Sequence, residues 1–207
     1  MQKTKVVLLS LSAAVVYGII HDQITARLCI EYFSLAHPAI FPVSSPTLLA
    51  LCWGVAATFG VGLVLGILLA QASQSPGLPP MPVSALIVPI LVLLATTAFA
   101  AAIAGYIGFV LSQRSAISLS ELLPYAWVDS LSRPQQDRFL AVWFAHAASY
   151  LFGVVGAGLL VLRLWNRRQR PRLLAIFPRT AIQLFRLALV LAIFGMIVWL
   201  RWFRAPQ

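Results

Sequence analysis

Charged side chains are scarce in this chain: aspartate, glutamate, lysine and arginine make up 10% of its 207 residues, and only five are acidic. A water-soluble domain carries about 25%, so a soluble globular fold is excluded. The 61% hydrophobic content excludes disorder too, because a disordered chain is poor in large apolar side chains and rich in net charge. Catalytic signatures are also missing. There is no H-E-x-x-H, no phosphate-binding glycine loop, no zinc-finger spacing, no nucleophile-base-orienter triad and no internal repeat. What the chain does have is long apolar runs, and with a mean hydropathy of +0.92 it belongs in a bilayer.

A spanning helix needs about 20 mostly apolar residues. Five segments meet that criterion, at about 6–25, 47–70, 83–112, 139–162 and 182–200. They predict an all-α fold, a polytopic transmembrane helix bundle forming one membrane domain over 1–207. The first run is short and follows Lys3 and Lys5, as in a secretory signal peptide, but no small-x-small motif precedes His21 and a retained helix is expected. Pro38, Pro42 and Pro46 separate spans one and two; Pro76, Gly77, Pro79 and Pro80 separate spans two and three.

The net charge of +10 is arranged as an orientation signal. Lys3 and Lys5 precede span one, the second connection is uncharged, and the connection at 163–181 carries Arg163, Arg167, Arg168, Arg170, Arg172 and Arg179 without one acid. Basic residues near span ends stay in the cytoplasm. The N-terminus and these connections are therefore expected there, with anionic lipid headgroups as partners of the arginines and no nucleic acid. All five acids, Asp22, Glu31, Glu121, Asp129 and Asp137, and all three histidines fall in the opposite half. Gly62/Gly66, Ala101/Gly105, Ala104/Gly108 and Gly153/Ala157 set small residues four apart, which lets helix backbones approach. Packing within the bundle is the main expectation from these faces, and a homo-oligomer is the other.

Two of the histidines lie within the spans. At 1.5 Å per residue, His146 is roughly 10 Å below the outer boundary and His21 roughly 8 Å below it, in a core about 30 Å thick. An ionisable side chain at that depth turns toward the bundle interior and a partner. Trp143, Ser149 and Tyr150 share the face of His146, while Thr25 and, further along, Tyr32 share that of His21. If the two faces oppose, His21, Asp22 and His146 converge.

Neutral imidazole and carboxylate suit zinc, iron or copper. The leading reading is a metal site near the outer, periplasmic leaflet, with His21, Glu31, His37 and His146 as ligands. Asp22, Arg27, Asp137, Ser149 and Tyr150 would orient those ligands or relay protons, and a metal-dependent membrane enzyme follows from such a site. Geometry restricts it. Along one straight helix His21 and Glu31 would stand roughly 15 Å apart, so joint ligation requires residues 26–37 to fold back over the bundle mouth, and nothing between 22 and 36 forces that bend. Asp137, nine residues before His146, occupies the opposite helix face.

Other readings stay open. Two histidines at matched depth on separate helices can ligate haem for electron transfer. Asp22, Arg27, Glu31 and His146 can form the proton or ion relay of a small-solute transporter or channel. In a non-catalytic scaffold, His21 and Asp22 are a solvated helix end, Arg27 and Glu31 a surface ion pair, His37 a loop residue and His146 a buried, hydrogen-bonded histidine. Cys29 and Cys52, near the same mouth, have three options: a disulfide, soft ligation, or unpaired burial.

The block Tyr17-Gly18-Ile19-Ile20-His21-Asp22-Gln23-Ile24-Thr25-Ala26-Arg27, continuing through Cys29, Glu31, Tyr32, Phe33, His37 and Pro38, resembles the N-terminal signature of a family of uncharacterised bacterial multi-pass membrane proteins. The segment Trp143-Phe144-Ala145-His146-Ala147-Ala148-Ser149-Tyr150 is similar to that family's second polar island. The resemblance implies a bacterial plasma membrane and groups the two islands. It carries no substrate.

Overall fold

In hydrocarbon every backbone N–H and C=O must bond within its own segment, so a long apolar run has little choice but to coil. The computed structural model describes residues 1–169, and its four long helices follow from that rule: α1 (Gln2–Leu28), α3 (Pro46–Ser73), α4 (Ser84–Gln113) and α6 (Arg133–Gln169). Each is long and apolar enough to cross a membrane. The fifth expected span, at about 182–200, and Arg170, Arg172 and Arg179 lie outside the described residues. Two short helices, α2 (Ile30–Ser34) and α5 (Leu119–Leu122), and a 3₁₀ turn (Ala126–Ser130) complete the described fold, which contains no strand.

The four spans expected at 6–25, 47–70, 83–112 and 139–162 lie within these helices or overrun them by one residue, at Val83. Pro46, a breaker by composition, is instead the first helical residue of α3, where its missing N–H is no loss. Hydroxyl groups in the spans bond back to their own helix. Ser10 donates to the Val6 carbonyl at 3.0 Å and Thr97 to that of Leu93 at 2.9 Å, which satisfies each group without water.

The helices form two antiparallel pairs, α1 with α3 and α4 with α6. Small residues set the closeness of both. A Cβ on Gly66 would come within 2.8 Å of the Val7 Cα, one on Gly54 within 2.7 Å of the Ile19 backbone, and one on Gly108 within 2.8 Å of the Leu140 carbonyl oxygen. The Gly62/Gly66 and Gly105/Gly108 faces are thus used inside the chain.

Two buried clusters mark the two ends of the bundle. Val6, Leu65, Leu69, Leu86, Ile90 and Ala157 fill one end, where Arg168 donates to the Pro79 carbonyl at 2.6 Å. Ala26, Tyr32, Phe33, Leu49, Val128 and Phe139 fill the other. Because α1 ends and α6 begins at this second end, residues 21–37 and 139–146 share it.

Candidate metal centre

α1 ends where Cys29 adopts an extended conformation (φ −152°, ψ 95°), and the chain re-enters a single helical turn, α2. That bend folds Tyr32 and Phe33 inward over α6, so the mouth of the bundle is capped by its own connection. Beneath the cap, His21 and Asp22 from α1 meet His146 from α6. One ligand atom from each lies within 4.8 Å of the others.

His146 and Asp22 are each 4% exposed. The imidazole rings of His21 and His146 meet edge to face with centroids 4.6 Å apart, and Tyr32 stacks on His146, also at 4.6 Å. His146 Nε2 is hydrogen-bonded to Thr25 Oγ1 (3.2 Å) and lies 3.9 Å from Asp22 Oδ1. On the far side of His21, Tyr17 stacks on the ring, and its hydroxyl is hydrogen-bonded to Ser149 at 2.9 Å. His21 Nε2 is buried and has no hydrogen-bond partner among the described residues. An orphaned polar atom in an otherwise satisfied interior costs about 1–3 kcal/mol, and a bound cation is one way to remove that cost.

Ligands about 2.1 Å from a common metal stand roughly 3 Å apart. Side-chain rotations that move each ligand atom by about 1 Å would bring this group to that spacing. Two imidazoles and one carboxylate are an established donor set for divalent transition metals.

Of the other sequence candidates, Glu31 faces α6. Its Oε1 accepts from Gln135 Nε2 at 2.6 Å and its Oε2 from the Cys29 thiol at 3.3 Å. His37 donates through Nδ1 to the Tyr32 carbonyl at 2.8 Å and packs between Phe33 and Trp53. Arg27 donates to the Gln23 carbonyl and to Thr47 of α3, away from Glu31. Asp137 accepts from Ser112 at 2.5 Å and pairs with Arg133 at 3.4 Å. Tyr150 keeps the His146 ring 6.2 Å away. Cys29 and Cys52 are not paired, and burial pushes the Cys29 thiol up to about 12. The His21 and His146 rings are in edge-to-face contact at 4.6 Å, against roughly 6 Å between the centroids of imidazoles that flank a porphyrin. Tyr32 and Phe33 are the site residues that a search for ligands passes over, because neither is a ligand type.

Burial holds the His37 imidazole below its ordinary 6.5, against the pull of the Tyr32 carbonyl. For Glu31, burial raises the carboxyl, but its own backbone N–H, Gln135, Cys29 and the Arg138 charge outweigh it and leave the group below 4.5. Both folded values are depressed, so the unfolded cap binds protons more readily and acid loosens it. The His37 contribution is intact above about 6.5 and fades as pH falls through its folded value; that of Glu31 is intact above about 4.5 and is lost below. Hydrogen exchange at residues 30–37, corrected for intrinsic rates, should therefore lose protection on going from pH 7 to pH 4, with onset near 6.5. A flat profile over that range would show that the cap does not hold His37 neutral.

The fold and the site together define a class: a helical bundle with the apolar spans of a membrane protein and a buried His/Asp group able to hold a metal. Among known proteins, no family model, no curated protein and no solved structure matches the chain.

Proposed function

We propose that this protein is a multi-pass protein of a bacterial plasma membrane that holds a transition metal at His21, Asp22 and His146, near the outer leaflet, and uses it as a membrane enzyme. The observation that carries the reading is the convergence of three ligand atoms from two helices in a buried, aromatic-walled site. The resemblance of 17–38 and 143–150 to one bacterial membrane-protein family is consistent with it, as both blocks contribute to this site. The outward orientation rests on Lys3 and Lys5 at one end and all five acids at the other.

Three protein ligands leave coordination positions free, as in catalytic rather than structural metal sites. A metal there would act as a Lewis acid or redox centre. Asp22 would neutralise part of its charge, and the Tyr17–Ser149 bond would fix the wall behind His21.

Elemental analysis of detergent-purified protein tests the proposal. Wild type should carry about one zinc, iron or copper per chain, and His21→Ala, His146→Ala and Asp22→Asn should each lower occupancy at least about tenfold. Equal metal content in wild type and all three variants would discard the assignment.

A further inference from the structure

We infer that the centre at His21, Asp22 and His146 is a ferrous-iron site whose open positions take a small neutral diatomic of the dioxygen class. The inference rests on the metal-centre proposal and adds the identity of the metal and its exogenous ligand. Its first support is the donor set. Two histidines and one carboxylate form the facial arrangement that leaves an octahedral ferrous ion with free positions on one side. No fourth candidate closes the shell among the described residues: the Cys29 thiol and Gln135 occupy Glu31, the Tyr32 carbonyl occupies His37 Nδ1, and Ser112 with Arg133 occupies Asp137.

A second support is what surrounds the cluster. Hydrolytic zinc sites pair the metal with a carboxylate base that activates water. Here the remaining walls are Tyr17, Tyr32, Phe33 and Tyr150 with the hydroxyls of Thr25 and Ser149, and the carboxylates of Glu31 and Asp137 are engaged elsewhere. The third is access. With Asp22 and His146 at 4% exposure and Tyr32 at 2%, an incoming ligand must be small. A site set in membrane-spanning helices receives most readily what hydrocarbon dissolves, which is a neutral apolar molecule rather than an ion. The step is binding alone: one iron–ligand bond forms, and no bond in the protein breaks.

Nitric oxide is the probe. The full-length chain in detergent is loaded anaerobically with ferrous iron, exposed to nitric oxide, and read by electron paramagnetic resonance. The expected result is about one iron per chain and a high-spin ferrous-nitrosyl signal. That signal should fall at least about tenfold at fixed iron concentration in His146→Ala and in the near-isosteric Asp22→Asn, and persist in Glu121→Gln, at an exposed position of α5. Circular dichroism of Asp22→Asn that matches wild type separates loss of the site from loss of fold. If iron or zinc binds through these residues but no nitrosyl forms, the inference is overturned and the metal-centre proposal stands. If no metal binds, both fall.

Discussion

Tyr32→Ala should cost about 3–5 kcal/mol of stability, the range for removing a large buried aromatic. Its ring is 2% exposed and touches four others: Phe33 at 5.4 Å, His37 at 4.9 Å, Phe139 at 5.4 Å and His146 at 4.6 Å. Deleting it leaves a void at the mouth among these four rings. Tyr32→Phe keeps the ring and should stay within about 1.5 kcal/mol of wild type. Unfolding in mixed micelles measures both. The same Ala variant should expose His146 to imidazole-directed acylation that wild type resists. Stability within about 1 kcal/mol of wild type, with His146 still protected, would mean that the connection after α1 does not close the site.

Gly54→Ala should be among the most damaging single-methyl changes in the α1–α3 pair. The added carbon would sit 2.7 Å from both the N and Cα of Ile19 and 2.8 Å from the Gly18 carbonyl carbon. All three are backbone atoms, so relief requires moving a helix. Overpacking of this kind costs about 1–3 kcal/mol, and displacing α1 would also carry His21 and Asp22 away from His146. Gly60→Ala is the matched control on the same helix, since nothing lies within 4 Å of its added carbon. It should be neutral or slightly stabilising, through lower backbone entropy in the unfolded chain. Unfolding midpoints for the two variants, read beside metal content, test both halves of the expectation. Equal midpoints would show that the two helices are not in backbone contact.

Legibility differed between the spans and the mouth for physical reasons. Helix in a bilayer is dictated by length and apolarity, so α1, α3, α4 and α6 could be read directly. Depth counting placed His21 and His146 at one level, and they are in ring contact. Asp22, read as an orienting neighbour, stands in the candidate ligand group itself, because consecutive residues on α1 can both reach inward where α6 approaches closely. The bend at Cys29 could not be read. No proline or glycine marks residues 22–36, and what turns the chain is tertiary: burial of Cys29, Tyr32 and Phe33 against Phe139 and Leu140 outweighs the tendency of the helix to continue. That same turn sends Glu31 to Gln135 and His37 to the Tyr32 carbonyl, partners that spacing along one helix cannot reveal.

The separation of the pocket's two sides along the chain bears on biosynthesis. Thr25 bonds an imidazole 121 positions later, so the first hairpin must enter the bilayer with a carboxylate and a histidine that have nothing to meet. An aspartate at a helix centre adds about 2.5–3.5 kcal/mol to insertion, and Asp22, nearer the boundary, adds less. A nascent chain stalled before α6 is therefore marked by unsatisfied polarity at bilayer depth, a recognisable cue for membrane quality control. Delivery of α6 relieves that burden and completes the pocket in one step.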